Sequence, residues 1–407
     1  MEKKYSSGIL SLPVIVGSLG FFVDVYDLLL FNIIRKPSLL SLGVKGKSIL
    51  TTGENILSIQ MIGILLGGII WGIMGDKKGR KSVLFGSILL YSIATIANGM
   101  ATGVVQYTLF RFIAGLGLAG ELGASITLVS EMLPKEKRGI GASVIATTGV
   151  MGTITAYFVN EWFHDWRLCY YIGGSLGLIL LVLRMGFLES SMFDSLRKTN
   201  VRRGSFIMFF NNPERFLRYL RGILIGLPVW YVIGILVTFS DQFAKEFGLG
   251  EIDPGKAVMY QYVGLAFGDL SAGIISNIIK SRKKTLFVFY GLVIIFICVY
   301  FLYHSGANTF YLVCAALGFS SGVSVLYITM SAEQFGTNLR ATAAISIPNF
   351  VRGFLPLIIL LFKWLRTATG NFVTGGWITG VIIMLIALVA AAFTRETFGK
   401  DMNFLEL

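Results

Sequence analysis

The sequence predicts an all-α integral membrane protein with twelve transmembrane helices in two pseudo-symmetric six-helix bundles. Of its 407 residues, 55% are hydrophobic and only 14% are charged, whereas a soluble domain has about 25% charged residues. The hydrophobic residues lie in runs of about twenty, which is long enough to cross a ~30 Å hydrocarbon core. In addition, charged features of the first half recur at a fixed distance in the second half.

The repeat is clearest in the charges between the runs. Glu131 and Arg138 recur as Glu333 and Arg340, in each case 202 positions later. The basic segment 281–284 likewise repeats the placement of the charged loop 75–81. Repeats of this kind are typical of transporter-like folds built from two related halves, and each half is expected to form one bundle.

The first half contains six apolar runs. They span roughly residues 10–31, 53–74, 83–102, 105–131, 140–160 and 168–187. The first run is not expected to be a cleavable signal peptide, because it is long, contains Asp24 and Asp27, and lacks a small-residue cleavage site. We therefore assign residues 1–187 to the N-terminal bundle.

The second half repeats this arrangement after a polar segment. Its runs span roughly residues 219–240, 257–279, 285–303, 308–332, 341–362 and 373–393. The seventh run of the chain carries Pro228 and several glycines, so its helix is expected to bend. We assign residues 188–218 to a cytoplasmic linker and residues 219–407 to the C-terminal bundle.

The formal net charge of +13 is spread over short loops, which does not suit a nucleic-acid-binding surface. The N-terminus, the C-terminus and the loops after even-numbered helices carry about 23 Lys and Arg, against about nine in the opposite loops. Both termini are therefore expected to face the cytoplasm, as in a bacterial inner-membrane protein. The first loop on the other side is basic, and we expect it to meet lipid phosphates or to attract anions: Arg35, Lys36, Lys45 and Lys47.

The sequence shows no pattern for a metal, a cofactor or an enzyme active site. The three cysteines lie in separate apolar runs without C-x-x-C spacing, so neither a disulfide framework nor a metal site is expected. The segment 46–48 is similar to the end of a P-loop, but Ser41 stands where that motif requires glycine. No nucleophile and base fall at a common depth in the helices.

Three motifs carry a family resemblance. The loop 75–81 reads GDKKGRK, the segment 111–121 reads RFIAGLGLAGE, and the segment 131–139 reads EMLPKEKRG. Together with Trp166-Arg167 and the segment 189–193, they resemble the major facilitator superfamily over nearly the whole chain. The resemblance implies alternating access around a central substrate site, and a monomer.

Two further segments resemble the proton-coupled symporters of that family. Residues 21–28, FFVDVYDL, are similar to helix 1 of metabolite, phosphate and sugar symporters. Residues 120–124 are closest to the metabolite–proton symporters, although their Gly-Gly-Glu-Trp reads AGEL at 119–122. The fifth run lacks the Gly-Pro signature of drug antiporters.

The carboxylates of helix 1 are the predicted proton site. Asp24 and Asp27 are three residues apart and share one helix face, and two close carboxylates disfavour double ionisation. We predict that Asp27 carries the proton and that Asp24 tunes it. The alternative is a static ion pair between one carboxylate and a cation such as Arg111. Glu121 is either a second protonation site or a structural hydrogen-bonding group.

Intramembrane cations are the predicted substrate contacts, because a charge at the bilayer centre costs about 2.5–3.5 kcal/mol and needs a partner. The resemblance implies a coupling role for Arg111 near helix 1, and the alternative is an arginine whose side chain extends to the outer interface. Arg352 is expected to bind an anionic group near Asn349, or else to pair with Asp241 or Asp269. The other predicted substrate contacts are Tyr26, Gln261, Trp230 and Tyr231.

A second set of charges is predicted to form a cytoplasmic latch. We expect Asp76, Arg80, Glu131 and Arg138 to form an ion-pair cluster that favours one conformation, with Glu333 and Arg340 as its counterpart. Alternatively, the basic residues only anchor their loops on the inside. The glycines of helices 2 and 4 are expected to let these two helices pack closely.

These observations predict a secondary active transporter that is not an enzyme and has no cofactor. It would couple protons to uptake of a small anionic or zwitterionic metabolite such as an organic acid, amino acid, phosphate or sugar. The alternative is a proton-driven exporter or exchanger of drugs or siderophores. A receptor on the same fold would need a signalling domain, for which neither terminus has room.

Overall fold

A computed structural model describes residues 12–78, 80–121, 138–188, 206–399 and 406. All regular secondary structure in these residues is helical, and the described part of each of the twelve predicted apolar runs is largely helical. The predicted all-α fold class is therefore confirmed.

The first half contains helices α1 to α6. They are α1 (Leu12–Ser41), α2 (Ser48–Lys78), α3 (Arg80–Gly99), α4 (Val104–Leu118), α5 (Arg138–Phe163) and α6 (Trp166–Leu188). Helix α1 ends ten residues beyond the predicted run, so it includes Arg35 and Pro37. Assigning Arg35 and Lys36 to an outer loop was therefore wrong, whereas Lys45 and Lys47 do lie exposed outside the helices.

The second half begins with a 3₁₀ helix at Phe206–Phe209 and continues with α7 to α12. They are α7 (Pro213–Tyr231), α8 (Pro254–Ile279), α9 (Arg282–Leu302), α10a (Ala307–Ser320), α10b (Val323–Glu333), α11a (Thr337–Gly353), α11b (Leu355–Thr369) and α12 (Phe372–Ala392). A π-helical turn at Val232–Val237 and a short helix at Ser240–Glu246 extend α7, which fits the predicted irregularity after Pro228. The predicted linker lies largely outside the described residues, and the domain boundaries remain predictions.

Nine helices in the described part of the chain are long and apolar enough to cross a membrane. Two shorter apolar helices, Val83–Gly99 and Val104–Leu118, accompany them. Only helices or closed barrels satisfy every backbone polar group inside lipid. The chain is therefore a multi-pass integral membrane protein.

Close packing between α2 and α4 depends on glycine. A Cβ added at Gly63 would overlap the carbonyl oxygen of Phe112, and one added at Gly67 would overlap that of Leu116. From the α4 side, a Cβ added at Gly115 would overlap the carbonyl oxygen of Gln60 in α2. The predicted close approach of these two helices is confirmed.

The same contact recurs between α8 and α10a. A Cβ at Gly264 would overlap the carbonyl oxygen of Ala315, and one at Gly268 would overlap that of Phe319. A Cβ at Gly318 would likewise overlap the carbonyl oxygen of Gln261. The α8 residues lie 201 positions after their α2 counterparts, and Gly318 lies 203 positions after Gly115. The two halves thus repeat one helix–helix contact.

Both halves also interrupt the helix that makes this contact. Helix α4 ends at Leu118, and helical structure resumes at Glu121 after a two-residue turn. Helix α10a ends at Ser320, and α10b begins at Val323 after a similar turn. With the 203-residue offset of this helix pair, Ser324 is the counterpart of Glu121.

Candidate functional site

The predicted proton residue and the predicted α4 cation lie in contact. Asp27 Oδ1 is 3.1 Å from Arg111 Nη2, and both side chains are fully buried. Arg111 also donates to the Asp27 carbonyl oxygen at 3.4 Å. The structure therefore contains the ion pair that the sequence gave as an alternative for Asp27, and it brings Arg111 to α1 as the resemblance implied.

Tyrosines of α4 and α6 position this ion pair. The guanidinium carbon of Arg111 lies 4.7 Å from the centre of the Tyr170 ring, within the range of a cation–π contact. The Tyr170 hydroxyl lies 2.6 Å from that of Tyr107, which donates to Ser38 Oγ at 3.2 Å. Because these hydroxyls satisfy one another, the aromatic floor under Arg111 is held in one orientation.

Asp24 is buried in a different environment. It is fully buried, and neither carboxylate oxygen accepts a hydrogen bond from the described residues. Three other charged groups lie within electrostatic range of it: Arg352, Glu121 and Asp27. A buried carboxylate without a hydrogen-bond donor is costly when ionised, so this carboxyl is suited to hold a proton.

Arg352 lies across the interior from Asp24, in the last turn of α11a. Its guanidinium carbon is 5.9 Å from the Trp230 ring, and its Nη1 has no hydrogen-bond partner among the described residues. Its charge also acts on Tyr262 and Tyr327. A cation beside the Trp230 ring, with one guanidinium nitrogen that has no partner among the described residues, is therefore available to an anion.

The predicted alternative partners of Arg352 are engaged elsewhere. Asp241 Oδ1 accepts a hydrogen bond from Arg35 at 2.7 Å, and Asp269 Oδ1 accepts one from Ser324 at 2.6 Å. Neither carboxylate forms an ion pair with Arg352 in the described part of the chain. This arrangement favours the substrate role of Arg352 over the structural one.

Two amide side chains lie in the same interior. Gln261 is fully buried, and both of its amide atoms are without partners among the described residues. Asn349 donates to the Ala119 carbonyl oxygen at 2.9 Å, which joins α11a to the turn after α4. Gln261 is thus free to bind a ligand, while Asn349 connects the two bundles.

Two predicted aromatic contacts instead bind neighbouring helices. The Tyr26 hydroxyl donates to the Cys169 carbonyl oxygen at 3.0 Å, which ties α1 to α6. The Tyr231 hydroxyl donates to the Gly376 carbonyl oxygen at 2.7 Å, which ties α7 to α12. Of the neighbours Trp230 and Tyr231, only Trp230 contacts Arg352.

Glu121 forms a bidentate ion pair with Arg184 of α6. Arg184 Nη1 donates to Oε2 at 2.9 Å, and Nη2 donates to Oε1 at 2.5 Å. Both side chains are buried, and this geometry favours the structural alternative for Glu121. The sequence analysis missed Arg184, although a cation inside the sixth apolar run was a signal that it needs a partner.

The predicted latch lies mostly outside the described residues. Glu131 is outside them, as are the side chains of Asp76, Arg80, Arg138 and Arg340. Glu333 lies 3.4 Å from Arg282, at the start of α9, and accepts a hydrogen bond from Thr397 at 2.6 Å. The described member of the latch thus contacts the basic segment 281–284.

Contacts between the bundles close the distal end, defined as the end where α1 finishes and α2 begins. Arg35 pairs with Asp241 at 2.7 Å, and its Nη2 also donates to the Thr238 carbonyl oxygen. Glu54 is fully buried between Arg366 and Lys363, at 2.9 and 3.3 Å. These charged contacts link α1 to the segment after α7, and α2 to α11b.

The described residues contain no group of three or more His, Cys, Asp or Glu side chains that could hold a metal ion. Among the described residues, the α1 carboxylates lie with Arg111 and within electrostatic range of Arg352. Acid–base exchange and electrostatic binding are the chemistry this arrangement offers.

Comparison with known proteins agrees with this geometry. Residues 12–360 match the family model described as Major Facilitator Superfamily. A cis,cis-muconate transport protein of Acinetobacter baylyi is 25% identical over 394 residues, which cover 93% of this chain and 92% of that protein. A niacin transporter of the same organism is 26% identical over 403 residues, covering 88% and 89%.

A solved D-xylose–proton symporter has a similar fold. The two structures superpose with a TM-score of 0.71, covering 95% of this chain and 98% of that protein at 18% identity. Two bundles, buried intramembrane charges and the family match over most of the chain agree with one another. The chain is a transport protein of the Major Facilitator Superfamily.

Proposed function

We propose that this transporter couples proton entry to the uptake of a small planar carboxylate, either an anion or a zwitterion. The observation that carries the proposal is the buried Asp27–Arg111 ion pair beside Asp24, whose carboxylate oxygens accept no hydrogen bond from the described residues. The carboxylates of Asp24 and Asp27 can share one proton, because ionising both of them at once is unfavourable.

The predicted proton residue was Asp27, and the contacts support a division of roles. Asp27 is paired with Arg111 at 3.1 Å. Asp24 has no such partner among the described residues and holds the proton on one of its carboxylate oxygens in this state. When that proton leaves, the two carboxylates compete for Arg111, and the resulting rearrangement of α1 against α4 accompanies the change of access.

Arg352 links the proton to the substrate. Arg352 lies within electrostatic range of Asp24, and a nearby opposite charge favours the ionised form of a carboxyl, so a substrate carboxylate that neutralises Arg352 would make Asp24 retain its proton. Substrate departure restores the free cation and favours proton release. Because coupling between two bound ligands is reciprocal, a proton on Asp24 strengthens substrate binding to the same degree.

The surroundings of Arg352 indicate the substrate class. A guanidinium fork binds a carboxylate in a bidentate manner, and the Trp230 ring, 5.9 Å from the Arg352 guanidinium carbon, suits a flat, unsaturated body. Gln261 supplies an unused amide for a second polar group. The names of the muconate and niacin transporters support this class, since both substrates are small carboxylates.

The remaining sequence predictions belong to the same proposal. The charge distribution of the loops supports a bacterial inner-membrane protein with cytoplasmic termini, which acts as a monomer. The alternative, export of drugs or siderophores, has less support, because larger apolar substrates would meet four buried charged groups: Asp24, Asp27, Arg111 and Arg352.

Proteoliposomes with an imposed pH gradient test this function. Labelled nicotinate and cis,cis-muconate are the probes, and the proteins are wild type, Asp24→Asn and Asp27→Asn. We expect wild type to accumulate one probe when the outside is acidic. Asp24→Asn is expected to retain exchange of labelled for unlabelled probe but to lose gradient-driven accumulation.

The matched control is Glu214→Gln, which removes a carboxylate from an exposed ion pair with Arg395 and is expected to transport normally. Equal gradient-driven accumulation by wild type and both α1 variants would remove these carboxylates from the mechanism.

A further inference from the structure

Asp269 is a buried carboxylate in the middle of α8 that the proposed transport site does not use. It is 8% exposed. Its Oδ1 accepts a hydrogen bond from Ser324 Oγ at 2.6 Å, and the carboxylate also accepts one from the backbone amide of Val325. No lysine or arginine of the described residues forms an ion pair with it.

Both hydrogen-bond donors to Asp269 lie at the start of α10b, directly after the break between α10a and α10b. The break fits tightly against α8, since a Cβ at Gly322 would overlap the backbone of Gly268. The end of α10a is satisfied locally, because Ser320 and Ser321 hydroxyls donate to the Leu317 carbonyl oxygen at 2.9 and 2.8 Å. The break is therefore a defined feature of the fold.

The start of α10b is capped only in part by its own chain, because the Ser324 amide donates to the Ser321 carbonyl oxygen at 2.9 Å. Gly322 occupies the N-cap position and provides no side-chain hydrogen bond. The first amides of any helix need outside acceptors, and an N-terminus is stabilised by negative charge. Asp269 provides a hydrogen-bond acceptor and a negative charge from the neighbouring helix α8. It thereby acts as a capping Asp does, although a capping Asp usually directly precedes the helix that it caps.

This interaction depends on the charge of the carboxylate. An ionised carboxylate accepts hydrogen bonds on both oxygens, whereas a protonated one loses its charge and part of its accepting capacity. A proton from solvent water that binds an Asp269 oxygen would therefore weaken the attachment of α10b to α8.

The attachment leads to the proposed substrate site. Tyr262 of α8 and Tyr327 of α10b are the titratable groups that share an electrostatic interaction with Asp269, and Arg352 acts on the same two tyrosines. A movement of α10b would displace Tyr327 relative to Arg352. Proton occupancy of Asp269 and the shape of the site are thus mechanically connected.

We propose that Asp269 is a second proton-binding residue, which docks α10b on α8 when ionised and releases it when protonated. The proposal extends the proton coupling proposed above. It does not require a proton on α1, because the hinge responds to Asp269 alone. Asp269 is accordingly a positioning residue that acts on the substrate site through Tyr327.

Hydrogen–deuterium exchange of the purified protein in nanodiscs tests the hinge. The measured quantity is the exchange rate of the amides of residues 324–327, divided by the intrinsic rate at each pH. In wild type we expect this ratio to rise about tenfold from neutral to acidic pH, the scale of one helix cap. In Asp269→Asn, which preserves size, it should be high at both pH values.

Two control variants make the result specific. Asp253→Asn removes another α8 carboxylate, the N-cap at the distal end, and should keep the pH response of α10b. The double variant Asp24→Asn/Asp27→Asn should also keep it, which separates the hinge from the proposed function. A pH-independent ratio in wild type, or a wild-type response in Asp269→Asn, would overturn the proposal.

Discussion

The N-terminal and C-terminal bundles each place a buried carboxylate beside the same helix break, but with different partners. In the N-terminal bundle, Glu121 follows the break after α4 and is neutralised by Arg184 of α6. In the C-terminal bundle, its counterpart is Ser324, which donates to Asp269 of α8. A duplicated scaffold thus fixes where the break lies, while the partner determines whether the carboxylate is static or responds to protons.

The difference assigns separate tasks to the halves. The N-terminal bundle holds two carboxylates paired with arginine, Glu121 and Asp27, beside Asp24, which has no hydrogen-bond donor among the described residues. The C-terminal bundle holds the cation Arg352 and Asp269, which no described Lys or Arg pairs with. In our account, the N-terminal bundle binds the coupling proton, and the C-terminal bundle binds the substrate and responds through α10b.

The largest expected effect is removal of the cation in the N-terminal pair. Arg184→Met leaves Glu121 without its described counter-charge inside the bundle, and breaking a buried ion pair in this way costs about 3–5 kcal/mol. We expect a large fall in melting temperature, measured by intrinsic fluorescence in detergent. Glu121→Gln in the same chain should restore most of it.

The control is Arg395→Met, which breaks an exposed pair with Glu214 and should change stability by at most about 1 kcal/mol. If Arg184→Met were as mild as this control, the view of Glu121 as a neutralised structural group would be wrong.

A smaller effect tests whether the halves share one packing contact. Gly63→Ala and Gly264→Ala each force a Cβ into a facing carbonyl oxygen, and overpacking of this kind costs about 1–3 kcal/mol. Both variants should lower the melting temperature, and to a similar extent. Gly291→Ala, whose Cβ would meet nothing within 4 Å, is the matched control.

The smallest effect concerns Glu396, which lies shortly after the end of α12. Burial alone would raise the pKa of Glu396, but hydrogen bonds from the Ser281 hydroxyl and three backbone amides lower it from 4.5 to about 2. A depressed folded pKa stabilises the protein above the unfolded value, and this contribution is lost as the pH falls toward 2.

The melting temperature of Glu396→Gln should therefore lie slightly below that of wild type at neutral pH. This difference in melting temperature should disappear as the pH falls from 4.5 to about 2. At the matching sequence position before α3, the N-terminal bundle has Gly79, which has no hydroxyl. Glu251→Gln, at an exposed carboxylate, serves as the comparison. A difference in melting temperature that persists unchanged at low pH would contradict the stabilising role of the hydrogen bonds to Glu396.

The sequence was sufficient to predict the fold, because lipid requires long apolar helices and small residues at close contacts. The twelve runs and the α2–α4 glycines follow directly from those requirements. It was also sufficient to single out Asp27, Arg111 and Arg352 as buried charges in need of a partner.

The pairing of those charges was harder to predict, because it depends on which helices become neighbours. Arg35 pairs with Asp241, 206 residues away, only because α1 continues past its apolar run and contacts the segment after α7. The cap of α10b by Asp269 requires a helix break that no proline marks. Local sequence patterns carry no information on contacts of this range.

The most direct test of proton coupling is the pH change that accompanies substrate entry. Vesicles in a weakly buffered medium receive nicotinate or cis,cis-muconate, whichever raises the melting temperature of the purified protein, and a pH electrode follows the medium. We predict alkalinisation with wild type and none with Asp24→Asn. Probe uptake without any pH change in wild type, or equal alkalinisation by Asp24→Asn, would contradict the account.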